Sequence, residues 1–564
     1  MSKNVSRRTF LTGAALAGGT AALAGLAGCA QSTTGEGADD ALAVTGSDIA
    51  WDRETEVLIV GFGGAGSVAA VTAHEEGAEV LILEKAPIEG GGCSRMSGGF
   101  CTIVNDVDAA ATYLKTISKG LTSDEVIEAW CEEATNTKDW LDDHDILYIE
   151  QKGQGADFPN VPGAEGLGCV DICDEREMSN TGGGVFFEWA TNYMNENGIE
   201  ILFDTPATRI IKDATTGEVL GVKATSAGAE MNIRAKKAVL LACGGFAAND
   251  EMLGTYIRPY PVGTEGWPYD DGDGIRLLQG AGASLSHMSL PCAVGYTFAI
   301  PGQISNRWNP NFAAGGSYFF INRTGKRFVC ENPNNYFGHR SFMEFDAWDQ
   351  SCEQTTSDYR DIPLYIIFDE AERVAGPFYQ NGLNIGVTVL PKELGGIEED
   401  WSEDNSKEVE AGWILKADTI EELCEKINEN SKDEGFDIDP ATLKETLDTF
   451  NSYCAAGEDP EFGRPATVAS RGGDEAPNLV ALQGGPYYAM RLIPALYSTC
   501  GGGTKNAKGQ ILDPWGEPIP RLYGAGVVAH SAAQAYSTFG QNWGEIMNFG
   551  RISGRNAAAE ESLA

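Results

Sequence analysis

Residues 57–84 read VLIVGFGGAGSVAAVTAHEEGAEVLILE: an apolar run, a glycine-rich turn, a helix-like stretch, a second apolar run and an acid. Gly61, Gly63 and Gly66 stand in the order G-x-G-x-x-G. The first glycine permits the tight turn, the second lets backbone approach a pyrophosphate, and the third lets the helix pack close to the strand. The helix start offers free N–H groups and a positive dipole end to that pyrophosphate. Glu84 closes the second strand, where a carboxylate accepts from an adenosine ribose hydroxyl. A lone glycine triplet is a weak signal. Strand, triplet, helix, strand and acid in this order predict a βαβ dinucleotide-binding unit.

At 564 residues the chain is too long for one ordinary domain, and two are expected. The formal net charge of -42 excludes nucleic acid as a partner. An acidic surface confers solubility, and it is also a field that steers a basic electron carrier. The N-terminus carries its own address. Ser6-Arg7-Arg8-Thr9-Phe10-Leu11 has the form of a twin-arginine export signal, followed by a short Ala/Gly/Leu stretch suited to a signal h-region. Leu26-Ala27-Gly28-Cys29 has the form of a bacterial lipobox, with Cys29 as the lipidated residue; the other reading is an ordinary signal in which Cys29 is incidental. Residues 1–29 are thus read as a lipoprotein signal and residues 30–52 as a flexible tether. The expected location is extracytoplasmic, lipid-anchored to the cell membrane. The twin-arginine route carries folded proteins, which suits a chain that takes up its cofactor before export.

None of the 13 cysteines forms C-x-x-C, so covalent c-type haem is not encoded. Cys169 and Cys173 are spaced C-x-x-x-C; scattered buried thiols are the ordinary reading, and part of an iron–sulfur site is the other. The five histidines show no metal-binding spacing, and no metal site is predicted.

Along the chain, residues 106–150 read as helices, with Val126, Ile127, Trp130 and Ala134 at helical spacing. Residues 199–245 read as short strands, with a hairpin at 219–224 and 231–236. Residues 296–330 read as aromatic strands, 419–454 as two helices, 497–526 as short strands and glycine, and 540–560 as a terminal helix. The predicted fold is α/β. A Rossmann-like dinucleotide domain is built from residues 53–290 and 498–564, and an α+β capping domain from 291–497 is inserted in it. A catalytic cleft is expected between them.

Several segments, in order, resemble the flavoprotein subunits of fumarate reductase and succinate dehydrogenase and their ketosteroid dehydrogenase relatives. They are GFGGAG at 61–66, GGGCSRMSGG at 90–99, LLACGGFAAND at 240–250, DGDGI at 271–275, NRTGKRFVCE at 322–331, YIIFDEAER at 365–373, STCGG at 498–502, IPRLYGAG at 519–526 and GEIMNFGRISG at 544–554. The resemblance implies FAD. It assigns Gly61, Gly63, Ala65 and Gly66 to the pyrophosphate and Glu84 to the ribose. Gly91, Gly92, Cys93, Ser97, Gly98 and Gly99 match the second loop, along the pyrophosphate and isoalloxazine. Ala207, Gly244, Asp273, Val527, Asn542 and Trp543 match further cofactor positions. Val527 stands where the fumarate reductases have a glutamate. Gly92 stands where relatives with covalent flavin have a histidine, so the FAD is expected to be non-covalent.

The same resemblance makes Arg373, the arginine of the F-D-x-x-x-R segment 368–373, the proton donor to a substrate carbon, with Glu331 of Arg327-Phe328-Val329-Cys330-Glu331 as its relay. An arginine is a poor acid at its reference pKa and serves only where the site disfavours its charge. The relatives carry an arginine a few residues beyond this glutamate, whereas here the stretch is Asn332-Pro333-Asn334-Asn335. As a helix cation, Arg373 also has Glu370 and Glu372 for neighbours. Where dicarboxylate enzymes of the family grip substrate with two histidines and an arginine, this chain has Gly316 or Ser317, Ser498 and Ser537. An unpaired charge in a desolvated cleft costs several kcal/mol, so fumarate and succinate are not the expected substrates. Tyr497 and Tyr536 stand nearby and suit a carbonyl. Phe298, Trp308, Phe312, Tyr318 and Tyr336 either line the same cleft or pack in the core.

The leading expectation is an exported FAD-dependent reductase of an activated C=C bond in an enone, lactone or enoate. Its substrate would be a hydrophobic or aromatic unsaturated small molecule. Its electrons would come from a separate haem protein or a quinol-linked donor. Two alternatives stand beside it: a ketosteroid-type dehydrogenase running the reverse reaction, and a flavin electron-transfer lipoprotein without substrate chemistry.

Overall fold

A computed structural model describes residues 42–44, 49–174, 182–258, 260–264, 266–298, 316–331, 359, 361–378, 401–434, 437–469, 475–530, 532 and 536–563. Its main sheet has nine strands. The apolar run Val57–Val60, the second half of strand Arg53–Val60, pairs in parallel with strand Val80–Leu83, Val57 opposite Val80. These paired segments are buried throughout, as parallel strands between helical layers must be. The helix Gly64–Glu75 makes the crossover. Strand Ala229–Leu241 lies on the other side of Arg53–Val60, and Pro518–Gly524 follows it, both in parallel. Strands Ala207–Asp213 and Val219–Ser226 extend the sheet in antiparallel fashion. The predicted hairpin is present: Val219–Ser226 pairs with Ala229–Leu241.

The C-terminal helix Gln541–Ala558 covers the sheet beside Gly64–Glu75. Gly550 and Gly554 set how close the two helices come. A Cβ on Gly550 would lie 2.8 Å from the Val68 side chain, and one on Gly554 would lie 2.6 Å from Ala69 O. The predicted helices at 106–150 are Val107–Ser118, Asp124–Ala134 and Thr137–Asp143. A three-stranded antiparallel sheet of Phe100–Val104, Leu167–Ile172 and Tyr148–Glu150 accompanies them.

A second, six-stranded sheet is organised on the 13-residue strand Tyr487–Thr499. Its first half is flanked by Leu364–Asp369 and Ile414–Ala417, and its second half by Pro291–Phe298 and Gly263–Thr264. Alternation on Leu364–Asp369 divides the core. Leu364, Ile366 and Phe368 pack into one cluster with Phe298 and Tyr318. Tyr365 and Ile367 pack into another with helices Ile420–Asn430 and Pro440–Ala456. Successive strand residues point to opposite faces, so one strand feeds two cores. Asp439 caps the second of these helices, Pro440 opens it, and Gly457 ends it in a left-handed conformation, the usual distribution of these residues at helix ends.

Candidate functional site

The turn after strand Arg53–Val60 is built by its glycines in three different ways. Gly61 has φ 105°, and a Cβ there would sit 2.6 Å from Ala242 O. A Cβ on Gly66 would lie 1.9 Å from Gly61 O, so the helix start packs directly on the turn. Gly63 is different: nothing lies closer to its Cβ position than Gly91 O at 3.7 Å. The space a side chain would take at Gly63 is left open on the cleft side, where a diphosphate needs it. The helix Gly64–Glu75 has no side-chain cap, and Gly63 forms a bridge with Gly91 that lays the second glycine loop alongside the first.

Glu84 ends its strand buried. Its two carboxylate oxygens accept from Phe62 N–H (2.8 Å) and Ala86 N–H (2.7 Å). Burial raises its carboxyl above the usual range, and the two N–H donors oppose that rise. Each oxygen keeps a lone pair for a further donor such as a ribose hydroxyl.

A cleft of about 1900 Å³, part of it open to solvent, runs from Glu84 to Tyr536. Gly61, Gly63, Ala65, Glu84, Gly92, Cys93, Ser97, Gly98, Gly99, Ala207, Gly244, Asp273, Val527, Asn542 and Trp543 all line it. Gly66 and Gly91 stand behind the wall they shape. Trp543 Nε1 donates to Ser97 Oγ at 2.6 Å, which in turn donates to Ser94 O at 2.7 Å, so the second loop is fastened to the C-terminal helix. Lys85, Trp267, Asp270 and Cys292 also line the cleft and were not anticipated. Asp270 lies in the run Asp270-Asp271-Gly272-Asp273, and Lys85 follows Glu84, so both had a sequence context. Trp267 and Cys292 had none.

At the far end Tyr497, Ser498 and Tyr536 line the wall with Phe100 and Phe539, whose rings are 4.7 Å apart. Asn542 N–H faces the Tyr536 hydroxyl, and burial holds that hydroxyl well above its usual pKa, in the O–H form. Lys85 is the only cation in the lining among the described residues, and Asp271 and Asp273 already hold it. The positions where relatives carry a cationic clamp hold other contacts. Ser317 donates to Asp369 Oδ1 (2.5 Å), Ser537 donates to Gln541 Oε1 (3.0 Å), and Gly316 lies against the Glu372 carboxylate.

Arg373 and Glu331 do not line this cleft. Arg373 ends the short helix Glu370–Arg373. Its guanidinium donates to Glu370 (2.6 and 2.9 Å) and to Asp404 Oδ2 (3.2 Å). These anions raise its pKa, the opposite of what a proton donor needs. Glu331 is fully buried and held by Arg327, with contacts of 2.5 and 2.8 Å, while Arg464 stands 3.7 Å away. Its arginines therefore come from four residues earlier and from a distant segment, whereas residues 332–335 lie outside the described residues. Phe298 and Tyr318 are core residues. Trp308, Phe312, Tyr336 and Cys29 lie outside the described residues, as does the whole 1–29 segment. Cys169 and Cys173 are buried thiols, and the described residues contain no group of three or more potential metal ligands.

Comparison with known proteins agrees with this layout. Residues 56–542 match the family model described as FAD binding domain. The chain is 28% identical over 619 residues to the digoxin reductase of Eggerthella lenta, across 99% of this chain and 98% of that one. It is 27% identical over 534 residues to the urocanate reductase of the same organism, across 90% of this chain and 75% of the relative. Among solved structures it resembles the 3-ketosteroid delta1-dehydrogenase of Sterolibacterium denitrificans, with a TM-score of 0.71 at 21% identity, covering 90% of this chain and 100% of that one. That last likeness is one of fold.

Proposed function

The chain belongs to the FAD binding domain family and is an FAD-dependent oxidoreductase, and from that premise we propose that it reduces an activated C=C bond conjugated to a carbonyl, lactone or single carboxylate. The carrying observation is the far end of the cleft: two tyrosines, a serine and aromatic rings, with Lys85, beside Glu84, as the cation of the lining among the described residues and already held by Asp271 and Asp273. When bound, FAD supplies a two-electron centre that exchanges hydride with carbon. The glycine loops and the start of helix Gly64–Glu75 hold its diphosphate, Glu84 its ribose, and the second loop with Asn542 and Trp543 its ring end. Aromatic walls suit a flat, apolar body. A diacid would leave its charges without partners there, at several kcal/mol each.

Tyr536 is the proton carrier in this reading. It lines the cleft and, like any phenol, carries its proton at neutral pH, so it can donate to a carbonyl oxygen or to carbon. Arg373, the residue the family resemblance assigns, is tied to Glu370 and Asp404 away from the lining. Electrons would reach the flavin from a separate haem protein or a quinol-linked donor.

Anaerobic oxidation of chemically reduced viologen by a panel of unsaturated compounds tests this. An enone is expected to be reduced and fumarate not. Tyr536→Phe should lower turnover by about 10²-fold or more, the usual scale of acid–base catalysis, whereas Arg373→Ala should stay within about threefold. The reverse ranking returns the proton to Arg373. The paired tyrosines also suit a desaturase acting on a 3-ketosteroid-like compound. That reading predicts dye reduction by the saturated ketone and no viologen oxidation by the enone.

A further inference from the structure

FAD brings a diphosphate into a wall that is already acidic. Among the described residues, Glu84, Lys85, Asp270 and Asp273 are the charged residues of the lining, and Asp271 joins Asp273 on Lys85. The single cation is thus committed to two carboxylates. Asp273 also receives Arg276 at 3.0 Å. Among the described residues no cation is paired with Asp270.

Asp270 is 3% exposed. Its Oδ1 accepts from Gly245 N–H at 2.5 Å, and its Oδ2 from Ala247 N–H at 3.3 Å and from the Cys93 thiol at 3.7 Å. Gly244, without a Cβ, makes room for it, since a Cβ there would lie 2.4 Å from Oδ1. The N–H donors of Gly245 and Ala247 hold the carboxyl in the cleft wall. The groups that face it give no charge relief. Burial pushes the thiols of Cys93 and Cys243 upward, so they stay neutral, and Asp271 adds like charge. Burial already places Asp270 at about 6, against the pull of its two N–H donors. The Cys93 thiol that touches Asp270 belongs to the second glycine loop, along which the diphosphate runs in this reading, and two more negative charges there disfavour the ionised form of Asp270 further.

We propose that Asp270 takes up one proton from solvent as the dinucleotide enters and keeps it while the cofactor is bound, so that FAD retention is linked to pH through this one carboxyl. The inference rests on the reading that FAD occupies this cleft. The sign follows from linkage: the bound state holds more protons than the free state, so affinity falls as pH rises through the window between the two pKa values.

The full chain freed of FAD and titrated with FAD between pH 5.5 and 8.5 tests this. Above about pH 6 the wild-type Kd should rise by up to tenfold per pH unit. Asp270→Asn should bind at every pH about as tightly as the wild type does at pH 5.5. Calorimetry of the wild type at pH 7, in phosphate and in Tris, should report close to one proton taken up per FAD. Binding with a flat Kd and no proton uptake in the wild type overturns the proposal, whether or not the variant folds. A pH slope lost in Glu84→Gln but kept in Asp270→Asn moves the proton to Glu84 and overturns it as well. No saturable binding at any pH overturns the cleft assignment, and this inference with it.

Discussion

Gly63 and Gly66 are three residues apart and have unlike tasks. The Cβ position at Gly66 is filled by the Gly61 carbonyl, whereas that at Gly63 opens toward the cleft. Gly66→Ala should therefore destabilise the FAD-free protein by about 1–3 kcal/mol through forced backbone shifts, visible as a lower melting temperature. Gly63→Ala should leave that melting temperature nearly unchanged and weaken FAD at least tenfold, about 1.4 kcal/mol, visible in a fluorescence titration. A melting loss in both, with no difference in FAD affinity, would mean that the two positions are equivalent. Arg373 shows the reverse case: its segment reads as catalytic, yet its environment stabilises charge. Glu370 is pulled down to about 2 by Arg373 first, with the Tyr488 hydroxyl adding to it. Both partners are thereby kept ionised at neutral pH.

At the scale of elements, the strand Tyr487–Thr499 couples the second sheet to the cleft, since its last residues include the lining pair Tyr497 and Ser498. The C-terminal helix has an equivalent role on the other wall. It supplies Asn542 and Trp543 to the cleft and Glu545 to a buried ion pair with Lys505. Lys505 also donates to His530 O at 2.9 Å and sits 3.7 Å from the centre of the Phe549 ring. Removing one partner of such a pair leaves an uncompensated buried charge. Lys505→Met should cost about 3–5 kcal/mol in urea unfolding. The double variant Lys505→Met with Glu545→Leu should recover most of that. Equal losses in single and double variants would show that the lysine acts through packing alone.

At the scale of the whole molecule, we propose that residues 1–29 export the chain and that Cys29 anchors it by lipid. No helix among the described residues is long and apolar enough to cross a membrane. In a bacterial host with twin-arginine export, the wild type should fractionate with membranes. Cys29→Ala should shift it to the soluble extracytoplasmic fraction, and replacing Arg7 and Arg8 by lysine should hold it in the cytoplasm. Membrane association unchanged by Cys29→Ala would remove the anchor. A net charge of -42 keeps such a protein dispersed, and it would attract the proposed electron donor, were that donor basic, over distances that salt shortens.

The sequence by itself determined the βαβ unit and the placement of Glu84, which depend on glycine conformation and on hydrophobic periodicity over a few tens of residues, local properties of the chain. The other lining residues named from it, such as Ala207, Gly244 and Trp543, came from the family resemblance. Only the tertiary structure decided which charged groups are free to act. Glu331 is taken by Arg327, and Asp459, 132 residues away, holds the same arginine. Arg373 is taken by Asp404, and Asp270 is left in the wall without a cation. The physical reason is that a side chain's proton affinity depends on burial and on partners brought together by packing, and the distant ones, Asp404 for Arg373 and Asp459 for Arg327, are not written in the residues next to it.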